Sequence, residues 1–83
     1  MNSEILLFHL REALEGLQEI VNELEHPAGV SESELEINVS HVYHHLNSGW
    51  NGRNRSALEF SEQPYYETDR LFPADIDRRL RNL

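Results

Sequence analysis

The sequence predicts an all-α fold: an antiparallel helical hairpin, at about residues 3–26 and 32–51, followed by an irregular C-terminal segment and a short terminal helix. Three observations predict it. A leucine-rich heptad pattern occupies the first stretch, a second amphipathic stretch follows, and only a few residues separate them. So short a joint makes an antiparallel return along the first helix the natural geometry.

In the first stretch, Ser3 is placed to cap a helix that reaches about His26. Leu7, Leu10, Leu14, Leu17, Val21 and Leu24 recur at alternating spacings of three and four, which sets them along one seam. Leu6, Ala13 and Ile20 widen that seam on one side. "HPAG" then stops the helix, because proline cannot continue the hydrogen-bond ladder and glycine suits the exit. Ser31 with Glu34 three residues later forms a capping-box pattern, and Ser33 with Glu36 is an equivalent pair. Beyond them Leu35, Val39, Val42 and Leu46 line one face, with Tyr43 and Trp50 beside them.

Asn51-Gly52 marks a turn, although Arg53, Ala57 and Phe60 continue the second helix's face and leave an extension to Phe60 open. "SEQPYYETDRLFPAD" is polar, holds two prolines and lacks a period, so it reads as a segment laid over the hairpin. Pro73 followed by "ADIDRRLRNL" predicts a short helix, with Asp75 and Asp77 at its positive end and Arg78, Arg79 and Arg81 at its negative end. The organisation is one small helical domain, 1–83, in which 61–83 forms the docked C-terminal segment.

Charge is unevenly distributed. The net charge is −8, and residues 1–48 carry nine glutamates against the single base Arg11. The remaining residues hold six arginines and six acids, and lysine is absent. An acidic first half repels phosphate backbones, so nucleic acid is not an expected partner. With no cysteine there is no disulfide or thiolate chemistry, and the amino terminus resembles neither a signal peptide nor a membrane span. The expectation is a cytoplasmic protein with no membrane partner. A lone hairpin buries one stripe per helix, too little for 83 residues, so a homodimer forming a four-helix bundle about a two-fold axis is the expected assembly.

The candidate chemistry centres on "HVYHHLNSGW", residues 41–50. A helical wheel places His44 toward solvent and puts His41 and His45 on one flank with Glu34, Asn38 and Ser48. His41 and His45, at i and i+4, have the spacing of a helical metal-ligand pair but need a third ligand. His9, expected near the level of Gly49 and about a turn beyond His45, or a histidine of a second copy, is placed to supply it. The favoured reading is structural, with histidines hydrogen-bonding on a polar flank beside the dimer seam. Trp50, Arg53 and Arg55 mix an aromatic with bases and suit an anionic ligand, while Tyr65 and Tyr66 suit tail anchoring or a protein partner. No sequence feature identifies a catalytic residue or a cofactor site. The functional expectation is an acidic, non-enzymatic interaction or regulatory module, and the competing reading is a metal-binding bundle built on His41 and His45, with catalysis as its extension.

Overall fold

In the computed structural model the described residues form four α-helices and one 3-10 turn. The structure describes residues 1–62 and 67–83, with the side chains of 60–62 left aside. Helix α1 spans Ser3–Glu25 and α2 spans Glu32–Asn51. They pack against each other as the expected antiparallel hairpin. Among the described residues there is no strand, and no helix is long and apolar enough to cross a membrane.

The helix ends follow from local chemistry. Asn2, not Ser3, caps α1, its Oδ1 accepting from the amides of Glu4 and Ile5 at 3.1 and 3.4 Å. The position is fixed from outside the helix: the Asn2 backbone amide donates to the Arg53 carbonyl, and its Nδ2 donates to the Arg55 carbonyl at 3.2 Å. The start of α1 is thereby clipped to the turn that follows α2. At the other end the His26 amide closes on the Asn22 carbonyl, and Gly29 takes a positive φ of 68° that turns the chain toward α2. Ser31 caps α2 as its capping pattern predicts, Oγ accepting from the Glu34 amide at 3.2 Å.

The contact between the helices differs from the predicted seam. Ile5, His9, Ala13 and Ile20 of α1 are buried, against Val42, His45, Ser48 and Gly49 of α2. All six seam residues, Leu7 through Leu24, are exposed, from 41% at Leu10 to 67% at Leu14. Two glycines explain the rotation. A Cβ on Gly16 would stand 2.7 Å from Val42 Cγ2, and one on Gly49 would stand 3.0 Å from His9 Cβ. The backbones therefore approach where side chains are absent, and the small side of α1 becomes the inner one. The leucines are turned roughly a quarter-turn outward.

After α2 the chain does not run on to Phe60 as one helix. It turns at Gly52 and restarts as α3, Ala57–Glu62, where Ser56 and Glu59 form a reciprocal capping box at 3.1 and 3.2 Å. The 3-10 turn Glu67–Arg70 then packs on α2, and α4 follows at Ala74–Arg81, as Pro73 predicts.

Ion pairs within positions 53–81 include Arg53–Asp75, Arg55–Glu59, Arg55–Asp69 and Arg81–Asp77. The grip on α2 is made by two amides one turn apart. Asn47 Nδ2 donates to the Arg70 carbonyl, and Asn51 Nδ2 donates to those of Asp69 and Leu71, each at 2.8 Å. One turn earlier on the same face, Tyr43 stacks on Phe72 with centroids 6.1 Å apart. Asp69 is itself buried, and its carboxylate accepts a two-pronged contact from Arg55 at 2.8 and 2.9 Å.

Two outcomes check this packing. Gly16→Val drives two methyl groups into Val42 and is expected to cost about 1–3 kcal/mol in chemical denaturation. Arg55→Ala strands the buried Asp69 carboxylate and is expected to cost about 2 kcal/mol. It should also speed proteolysis within 67–73, whereas added salt should change that cleavage little.

Candidate functional site

Three side chains that the sequence separates by up to 36 positions meet at the middle of the hairpin. Antiparallel packing brings His9 of α1 opposite His45 of α2, with Nδ1 of one 3.1 Å from Nδ1 of the other. At that distance one ring donates an N–H and the other accepts, so the pair shares a single proton. His9 is 1% exposed and His45 is 4% exposed, which makes this a polar contact at the centre of the interface. Phe8 meets the His9 ring edge-on, with centroids 5.1 Å apart. His41 lies against His45 with ring centroids 5.1 Å apart and planes 18° from parallel.

The sequence singles out His41 with His45, and the structure puts both on one flank with Asn38, lining a cleft with Glu12, Glu15 and Glu19. Their rings stack, however, and the in-plane lone pairs of stacked rings do not converge on one point. The nitrogen that converges on His45 is that of His9, which lies level with Gly49 as its position in the hairpin requires. His44 is half-buried instead of solvent-facing, its Nδ1 3.1 Å from Ser48 Oγ. Among the described residues, no three histidine or acidic side chains are already gathered around a common centre.

Burial governs how these rings titrate. Desolvation lowers His9 to about 4, assisted by the neighbouring His45 and opposed by Asp69. His44 is also lowered to about 4, first by desolvation and then by Arg70 and the surrounding histidines. His45 is lowered by desolvation and by His41, with Glu12 pulling the other way. His9, His44 and His45 are thus neutral at pH 7.

The candidate binding residues are engaged within the chain. Trp50 Nε1 donates to the Asp75 carboxylate at 3.1 Å, and Arg53 lies 3.9 Å over the Trp50 ring while pairing with Asp75 at 3.7 Å. Arg55 holds Asp69. Tyr65 and Tyr66 fall outside the described residues. On the flank opposite the histidines, an open apolar groove of about 540 Å³ runs between Leu6 and Leu10 of α1, Tyr43, Leu46 and Trp50 of α2, and Phe72, Ile76 and Leu80 of the C-terminal segment. Sequence reasoning passed over Asn47 and Asp69. The signal for Asn47 was its place in the i, i+4 row Tyr43–Asn47–Asn51, a polar row on a helix face that otherwise borders apolar residues.

The histidine shifts fix the sign of a pH dependence. Each folded-state value lies below the unfolded value near 6.5, so the unfolded chain binds protons first as pH falls. The stabilisation is fully present above about pH 6.5 and is lost progressively down to about pH 4. Thermal melts should therefore show a falling melting temperature across that window, flattened in His9→Gln. A rise on acidification would refute the neutral pair.

No family model, curated protein or solved structure matches this chain.

Proposed function

We propose that the protein is a small, non-enzymatic interaction or regulatory module that works as a homodimer, two hairpins meeting across their apolar flanks in a four-helix bundle. One observation supports the reading above the others. The heptad residues of α1 are left outside the hairpin's own contact, and Val39, Tyr43 and Leu46 of α2 are exposed as well.

Continued by Phe72 and Leu80, this flank leaves large apolar side chains exposed along one side of the hairpin, the kind of surface that a stable dimer interface covers. Contiguous exposed apolar patches on a chain mark interaction surfaces. A heptad pattern also favours a helix of the same pattern as its cover, since knobs of one copy match the holes of another. The acids do not obstruct that approach: Glu12, Glu15 and Glu19 line the opposite flank, beside His41 and His45.

Sedimentation at micromolar concentration tests the reading, with twice the chain mass as the expected result. Leu14→Asp is the informative variant, because Leu14 is 67% exposed on a single chain and its replacement leaves the hairpin core untouched. In the dimer the same change places a carboxylate in each half of an apolar seam, and the dissociation constant should rise on the order of a hundredfold or more. A well-folded monomer for the native chain, or unchanged association for Leu14→Asp, would overturn the proposal.

A further inference from the structure

We infer that the helix covering the exposed seam of α1 is α1 of a second copy, running antiparallel about a two-fold axis between Leu14 and Leu17. In this register Arg11 of each chain pairs with Glu25 of the partner subunit. The inference rests on the self-association proposed above. It adds which helix meets which, in what direction and at what level.

The seam reads the same from either end. Leu7, Leu10, Leu14, Leu17, Val21 and Leu24 are all exposed, and the spacings between them form a symmetric series. Reversing one copy therefore lays Leu7 against Leu24 of the partner subunit, Leu10 against Val21 of the partner subunit and Leu14 against Leu17 of the partner subunit. Two-fold symmetry uses each layer twice and leaves no seam residue over. Leu10 also borders the apolar groove with Tyr43, Leu46 and Phe72, so the last turns of the partner's α1 continue over its mouth.

Packing alone also allows a parallel pair, in which each seam residue meets its own copy. Charge decides between the two. Arg11, Gln18 and Glu25 recur at seven-residue intervals and flank the seam on the side opposite Ala13 and Ile20, which are buried in the hairpin. All three are exposed, and among the described residues Arg11 takes part in no ion pair. Along the helix the row runs positive, neutral, negative. Parallel copies would set arginine beside arginine and glutamate beside glutamate. Antiparallel copies set each arginine toward a glutamate and Gln18 toward its own copy. Side chains on a helix lean toward its N-terminus, which tilts Arg11 and Glu25 of the partner subunit toward each other. Glu4, one interval before Arg11, falls past the last turn of the partner's α1.

A second electrostatic mismatch points the same way. Helix α1 ends on Glu23, Leu24 and Glu25 with no base in its last turn, so acid stands at the negative end of the helix dipole. Only the antiparallel register brings a cation, Arg11 of the partner subunit, to that end.

The chain has no cysteine, so introduced thiols report position without background. Leu7→Cys and Leu24→Cys, made singly and together in the full chain, are oxidised under native conditions and read on a non-reducing denaturing gel. The reduced proteins are sedimented in parallel. Both sites are exposed on a single chain, so the hairpin's own contact stays intact. Within one chain they lie roughly 25 Å apart along the helix, far beyond disulfide reach. The expected result is a covalent dimer for the double variant and none for either single variant. At low ionic strength Arg11→Glu should raise the dissociation constant at least about fivefold, and adding Glu25→Arg should recover most of the loss. A covalent dimer in Leu7→Cys alone assigns a parallel pair and overturns the register. Dimeric sedimentation of the double variant without cross-linking overturns it too, while self-association stands. Equal affinities for Arg11→Glu and the native chain overturn the Arg11–Glu25 pairing, and a monomeric native chain overturns the register together with the dimer.

Discussion

The close approach of α1 and α2 at Gly16 and Gly49 is the constraint on which the rest of the structure depends. Wherever two helices lack side chains at their crossing, the backbones move together, and neighbouring residues are buried in proportion to that closeness. Here the residues drawn inside are Ile5, Ala13, Ile20 and Val42, together with two histidines. Because His9 lies at the crossing itself, its ring has nowhere to go except against His45, and hydrogen bonding between the rings satisfies both nitrogens. A leucine at position 16 would hold the helices apart and bring the heptad leucines back toward the contact.

That rotation gives the hairpin two unlike flanks. One is apolar, from the outward-turned leucines of α1 and the row Val39, Tyr43 and Leu46 of α2. The other is polar and carries Glu12, Glu15, Glu19, Asn38, His41 and His45 around one cleft. An asymmetric hairpin of this kind presents a burial problem on one side and an electrostatic one on the other. The proposed self-association addresses the apolar side.

Directional contacts fasten the C-terminal segment to α2. Carbonyls of residues 69–71 dock on the amides of Asn47 and Asn51, and Arg55 neutralises Asp69 where the carboxylate is buried. In α4, Arg81 pairs with Asp77 of the same helix. Net charge, which falls almost wholly in the first half, thus describes how the surface will repel or attract, and not which segment binds which.

The sequence by itself determined where the helices lie. Periodicity, Pro27, Ser31 and Asn51-Gly52 mark α1 and α2 to within a residue or so, and Pro73 marks α4, because propensity, capping and chain stiffness act over one or two turns. It also placed His41, His45 and Asn38 on a shared flank, which follows from 3.6 residues per turn. Which stripe of α1 faces α2 was decided only in three dimensions. Six regularly spaced leucines outweigh two glycines in any count of apolar residues, yet steric approach at Gly16 and Gly49 selects the narrower side. The His9–His45 contact belongs to the same class. It joins residues 36 positions apart, and its geometry depends on the register and rotation of two whole helices, which no local pattern carries.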